Sequence, residues 1–416
     1  MTPGAGKRQN YTPENGTRVL AIEPLSAPES CTMLTRRDYL KQTALAGCGL
    51  ALTGGRMLGA QPEAGTNTDI AGGQSLKSHA HKRGLLAGCA VGAASLRDAE
   101  FTQILAQQYS LVVAENAMKF GPLQPRPGTW DFADADALVD FARQHKIKVR
   151  GHNFVWHEML PAWFATTVTR DNAKKVMTEH ILTVGGRYKG KIQSWDVVNE
   201  AINISDGRPD GLRKSPWLEL IGPEYLELAF RTARQADPKA KLTYNEYGIE
   251  NDSESNAGKR VATLQPLRRL KAADTPLDAL GIQSHISAGA SATYGKGLRE
   301  LIAAAQSMSL EVYITELDVN DDAVPGGRDV PDAIVARDRI VADTYLNYLT
   351  AALQSNAVKA VLTWGLTDRY TWLNEIESHK EKQPNRPQRP LPFDPYYKPT
   401  PAFFALRGAL DHAPHR

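Results

Sequence analysis

The chain has 416 residues, room for one large domain or two ordinary ones. Apolar residues make up 42% and charged residues 23%, the balance of a globular protein with a full core. Lys and Arg number 49 against 46 Asp and Glu, so the net charge of +3 gives no ground for a nucleic-acid or anionic-membrane partner, and no uncharged apolar run is long enough for a transmembrane helix.

In chain order, residues 1–60 read as an N-terminal extension and an export leader. Thr35-Arg36-Arg37-Asp38-Tyr39-Leu40-Lys41 resembles the twin-arginine signal, and a small-residue, weakly apolar stretch over 43–54 follows, then Leu58-Gly59-Ala60 before Gln61. A periplasmic or secreted mature protein is expected. Leu45-Ala46-Gly47-Cys48 also has the form of a lipoprotein box, but cleavage there leaves six residues after Lys41, short for a signal's apolar region, so anchoring at Cys48 is the weaker alternative. Residues 1–32 are polar and rich in Pro and Gly, which makes Met33 the expected start. Of Cys31, Cys48 and Cys89 only the last survives removal of the leader; no internal disulfide can form, and Cys89 is expected as a small buried hydrophobe on the first strand.

Residues 61–84 show little periodicity and read as a linker. From 85 to 410 a repeating pattern implies one domain. Strands are expected over 86–92, 111–115, 148–153, 194–199, 241–246, 279–285, 311–316 and 360–365. Helical periodicity lies between them, over 134–146, 223–236 (with Pro223 in the first turn), 296–308 and 331–355. Strand then helix, eight times over about 325 residues, points to an α/β fold, a single (β/α)8 TIM barrel. An open doubly wound sheet is the alternative, but Gly88-Cys89-Ala90-Val91-Gly92 does not fit a dinucleotide fingerprint.

Nearly every expected strand ends in polar residues: Glu115 and Asn116, His152 and Asn153, Asn199 and Glu200, Asn245 to Tyr247, Gln283 and His285, Glu316 and Asp318, Trp364 and Asp368. In a parallel barrel these ends meet at one face, where active sites form. Two glutamates at the ends of β-branched runs, Glu200 after Trp195-Asp196-Val197-Val198-Asn199 and Glu316 after Ile314-Thr315, are the minimal apparatus for glycoside hydrolysis. His152 and His157 have no third ligand at a usual metal spacing, so no metal is expected.

Six motifs occur in order: Glu115-Asn116-Ala117-Met118-Lys119-Phe120, Arg150-Gly151-His152-Asn153-Phe154-Val155-Trp156-His157, Trp195 to Ala201, Gly281-Ile282-Gln283-Ser284-His285, Ile314-Thr315-Glu316-Leu317-Asp318, and Thr363-Trp364-Gly365-Leu366-Thr367-Asp368. With them the chain resembles glycoside hydrolase family 10, the endo-β-1,4-xylanases, from about residue 85 to 408. The resemblance implies a retaining mechanism, no cofactor, and xylan and xylo-oligosaccharides as substrates; a monomer is expected. It implies Glu200 as acid/base and Glu316 as nucleophile, with Asn199 on the 2-hydroxyl of the reacting sugar, His285 holding Glu316 and Asp318 orienting His285. It further implies Glu115, Asn116, Lys119, His152, Trp156 and Gln283 as glycone-side ligands, Trp364 and Trp372 as aromatic walls there, and Tyr247 as an aglycone platform. Phe120, Met159 and Glu246 depart from the family pattern. The Pro-rich segment 374–390 is read as a solvated insert beside the cleft. An endoglucanase on the same barrel is the nearest alternative, separated by the room Trp364 leaves near C5 of the sugar; a non-catalytic polysaccharide-binding barrel is the other, and both glutamates argue against it.

Overall fold

A computed structural model of the chain describes residues 70–289, 293–324, 331–376 and 385–416. The expected leader, Cys31 and Cys48 lie outside these residues. Among the described residues there are nine strands: β1 (Leu86–Val91), β2 (Leu111–Ala114), β3 (Lys148–Val155), β4 (Ser194–Asn199), β5 (Lys241–Glu246), β6 (Ala279–Ile282), β7 (His285–Ser287), β8 (Glu311–Asn320) and β9 (Val358–Thr363). Each from β1 to β5 pairs in parallel with the next, β6 pairs with β8, β8 with β9, and β9 returns to β1. Eight strands thus close a parallel barrel, and the short β7 lies beside the far end of β8.

Strands buried on both faces need apolar residues at every position. β2 is Leu-Val-Val-Ala and wholly buried, and Cys89 is fully buried in β1, as expected. Ala90, Leu111, Val113, Ala279, Tyr313, Ala360, Leu362 and Trp364 form one cluster, separate from the larger one to which the helices contribute. Arg150 is fully buried, with Nη1 donating to Ser194 Oγ at 3.0 Å, a short bond to Asp196, and its guanidinium over the Tyr313 ring.

Several boundaries differ from expectation. The sixth strand breaks after Ile282, because Ser284 takes a positive φ of 70°, and resumes as β7. β8 runs past Glu316 to Asn320, held there by β7. The helix expected over 223–236 spans Tyr225–Ala236, leaving Pro223 outside it. The linker expected over 61–84 is folded from residue 70 on: Leu76–Lys82 is a helix whose Leu76 and Ala80 are fully buried, and His79 Nδ1 lies 2.5 Å from Asp411 on the last helix, Pro401–His412. Segment 374–390 is no solvated insert where it is described. Arg386 and Gln388 are buried, Arg386 donates to the carbonyls of Asp321 and Val324, and Arg389 forms a two-pronged pair with Asp338 at 2.6 and 2.8 Å.

Candidate active site

The strand ends converge as a parallel barrel requires. Glu200 follows β4 directly and its N–H donates to the Asn245 carbonyl of β5 at 2.9 Å. Glu316 sits within β8, 4% exposed, its N–H on the Gln283 carbonyl at 2.8 Å.

A relay of amides joins the two carboxylates. Asn245 Nδ2 donates to Glu316 Oε1 at 2.7 Å and to Asn199 Oδ1 at 2.8 Å. Gln283 Nε2 donates to the same Asn199 oxygen at 3.3 Å and to Glu200 Oε1 at 2.9 Å, and Asn199 Nδ2 adds 3.2 Å to Glu200 Oε1. Thr315 Oγ1 donates to Asn245 Oδ1 at 2.8 Å and fixes which way that amide points. Among the described residues, both of these hydrogen bonds to the Glu200 carboxyl fall on Oε1 and none on Oε2.

Glu316 is held in the opposite way. His285 Nε2 lies 3.2 Å from Glu316 Oε2, His285 Nδ1 lies 2.9 Å from Asp318 Oδ1, and Trp372 Nε1 donates to Asp318 Oδ2 at 2.8 Å. Burial would push the Glu316 carboxyl up, but the positive fields of His152 and His285 and the bonds from His285 and Asn245 outweigh it and hold it at about 2. Burial likewise opposes charge on His285, yet Asp318 and Glu316 raise it well above an ordinary imidazole. The arrangement is an imidazolium between two carboxylates.

The residues expected on the glycone side make contacts of their own. Lys119 Nζ donates to Asn116 Oδ1 at 2.9 Å and lies 4.8 Å from the Trp156 ring centre. Burial lowers Lys119, countered by Glu316, Glu115 and Glu200, while burial raises Glu115, countered by Lys119. Glu115 makes no direct bond to either of the paired glutamates. His152 is anchored through Nδ1 to Asp196 at 2.9 Å. Trp364 is 7% exposed, its ring edge-on to His152 at 5.3 Å and to His285 at 6.0 Å; Trp372 lies 5.2 Å from His285. Tyr247 follows β5, with Arg213 on its hydroxyl at 3.0 Å and Lys259 over its ring at 3.3 Å.

In the sequence Asn245, the hub of the relay, is visible only as a polar residue at a strand end with no role of its own, and Thr315, Arg213 and Lys259 carry no functional signal. A signal for Asn245 exists in Gly281: a Cβ there would lie 2.2 Å from Asn245 Oδ1, so the glycine makes room for that amide.

The model of glycosyl hydrolase family 10 matches residues 75–409. The chain is 34% identical over 333 residues to an endo-1,4-beta-xylanase A of Thermoanaerobacterium saccharolyticum, covering 77% of this chain but 26% of that protein. It is 37% identical over 304 residues to an endo-1,4-beta-xylanase A of Xylanibacter ruminicola, covering 67% and 78%. Among solved structures, xylanase 10B of Thermotoga petrophila RKU-1 in complex with xylobiose superposes with a TM-score of 0.70 at 30% identity, over 81% of this chain and 97% of that one. The chain thus spans about a quarter of the first of these relatives.

Proposed function

Because the chain belongs to glycosyl hydrolase family 10, we propose that it is an endo-β-1,4-xylanase that cleaves internal bonds of xylan and xylo-oligosaccharides with retention of configuration. The observation that carries this reading is the unlike pair: Glu316 held ionised by His285, and Glu200 bonded only at Oε1 by two amides. Glu316 attacks the anomeric carbon while Glu200 passes its proton to the departing glycosidic oxygen, leaving a covalent α-glycosyl ester on Glu316. Glu200, now a carboxylate, takes a proton from water, the hydroxide oxygen adds to the anomeric carbon, and Glu316 departs with the β-product. Asn199 supplies a polar edge toward the 2-hydroxyl, a contact that strengthens as charge develops.

On the glycone side Glu115, Asn116, Lys119, His152, Trp156 and Gln283 match the hydroxyl edges of the sugar, and Trp364 and Trp372 its apolar faces. The close packing of Trp364 against His152 and His285 supports xylose over glucose, since an exocyclic CH2OH needs space that a tightly held indole does not yield. Tyr247 serves the leaving-group side. Export through the twin-arginine-type leader belongs to the same proposal and rests on the sequence; N-terminal sequencing of protein recovered from the periplasm or medium should begin near Gln61.

Incubation with xylan and, separately, carboxymethyl cellulose tests the activity. Short xylo-oligosaccharides from xylan, with the new reducing end in the β form by NMR at early times, are expected. Equal release of sugar from both polymers would refute the xylanase reading.

A further inference from the structure

Glu200 has φ of 57°, the left-handed region that residues with a Cβ seldom occupy. Such a turn persists only where its surroundings fix it. Beyond it the chain forms a narrow ribbon: Ile202 bridges Leu212 antiparallel, the Asn203 N–H donates to the Gly211 carbonyl at 3.0 Å, and the Arg213 N–H to the Ala201 carbonyl at 2.7 Å. Arg213 closes that ribbon. Its Nε donates to the carbonyl of Glu200 at 2.8 Å, and its Nη2 to the Tyr247 hydroxyl at 3.0 Å. One planar fork therefore joins the backbone of the proton donor to the aromatic ring on the leaving-group rim.

A second clamp grips the same two segments from below. Glu246 is fully buried. Its Oε2 accepts from the Ile202 N–H at 3.1 Å and the Tyr244 hydroxyl at 3.1 Å; its Oε1 accepts from the Tyr247 N–H at 3.2 Å and lies 2.9 Å from Lys259 Nζ. That same ammonium lies over the Tyr247 ring. Tyr247 is thus held at its N–H, its ring and its hydroxyl, while still 37% exposed. The 200–202 turn is held by the same two side chains, Arg213 and Glu246. Tyr247 and the carbonyl of Glu200 thus share one donor group.

We propose that Arg213 is a positioning residue that couples the leaving-group platform Tyr247 to the placement of the Glu200 carboxyl, so that a sugar seated on the platform fixes the proton donor in line with the glycosidic oxygen. The inference rests on the reading of Glu200 as acid/base and extends it to how that acid is aimed. A guanidinium can span a carbonyl and a hydroxyl at fixed separation; an ammonium or an apolar chain cannot. Misplacing a catalytic group by about 1 Å costs on the order of a hundredfold in rate.

The test is the leaving-group dependence of kcat/KM across aryl β-xylobiosides, measured for the wild type, Arg213→Met and Arg213→Lys. In these substrates the aryl leaving group takes the sugar's place beside Tyr247, and because every member of the series does so, a change in aglycone binding alone shifts all of them alike and leaves the trend unchanged. Departure of dinitrophenolate needs no proton, whereas departure of phenolate does. Both variants should hold within about threefold of the wild type on the dinitrophenyl substrate and fall roughly a hundredfold on the phenyl one. Because the comparison is between substrates on one preparation, a smaller folded fraction does not change it. A parallel loss on every substrate, or a wild-type dependence retained by Arg213→Lys, would overturn the coupling. A wild type inert toward all of these xylobiosides would instead refute the proposed function.

Discussion

Asp318 touches two groups, and the two contacts have different consequences. Its hydrogen bond from Trp372 Nε1 is neutral and fixes one aromatic wall; its contact with His285 Nδ1 sets a charge. Burial alone would discharge the imidazole, and Asp318, ahead of Glu316, keeps it charged far above its ordinary range. Asp318→Asn can still accept one of these bonds but no longer holds the imidazolium. His285 should then lose its proton at lower pH, and Glu316 its strongest hydrogen-bonded stabilisation. The expected result is a roughly 10- to 100-fold fall in kcat/KM on xylan, of the size seen when partners behind a ligand are removed, together with a basic limb of the pH profile displaced toward neutral. Loss of activity with an unmoved basic limb would mean that Asp318 acts only through Trp372. In the sequence Asp318 is visible as a polar residue near a strand end, and so is His285. The tryptophan's donation to Asp318 is not, because it depends on how the 3-10 turn Trp372–Glu375 folds back.

At the scale of elements, the strands were legible because parallel barrel strands leave so little freedom in composition: runs rich in apolar and β-branched residues, ending in polar ones. What composition does not encode is where a strand bends. Ser284 divides the expected sixth strand through a positive φ, and its conformation is held by distant partners, the Glu250 carboxylate on its N–H and the Tyr348 hydroxyl on its Oγ. The helix Leu76–Lys82 was hidden for a different reason. Its Ser, His and Lys residues give weak periodicity, and only Leu76 and Ala80, one turn apart, anchor it in the core. Gly151 marks a third kind of information, the close approach of two elements. The Trp195 indole stacks on Phe154 at 4.2 Å and passes where a Cβ of residue 151 would stand, 1.9 Å from the nearest ring carbon. Gly151→Ala should therefore displace Trp195 and destabilise the fold by roughly 1–3 kcal/mol or more, read as a lowered urea midpoint. An unchanged midpoint would show that the indole has room to move.

At the scale of the whole molecule, the barrel's work is to bring side chains from distant parts of the chain into one network. Asn199, Gln283, Asn245 and Glu316 come from β4, the segment after β6, β5 and β8, and each amide in the relay is oriented by the next. The two glutamates proposed as catalytic stand out in the sequence because their neighbours repeat a family pattern. The relay between them could not, since it arises only when barrel closure sets β4, β5 and β6 side by side. No described helix is long and apolar enough to cross a membrane. Within this architecture the central proposed assignment is that Glu316 forms the covalent bond and Glu200 moves the proton. It is tested most directly with Glu200→Ala acting on dinitrophenyl xylobioside in the presence of azide. The good leaving group should still depart, the glycosyl-enzyme on Glu316 should accumulate for want of a base, and azide, which needs no deprotonation, should restore turnover and yield the β-glycosyl azide. An α-azide, or no response to azide with equal loss on xylan and on the aryl substrate, would contradict it.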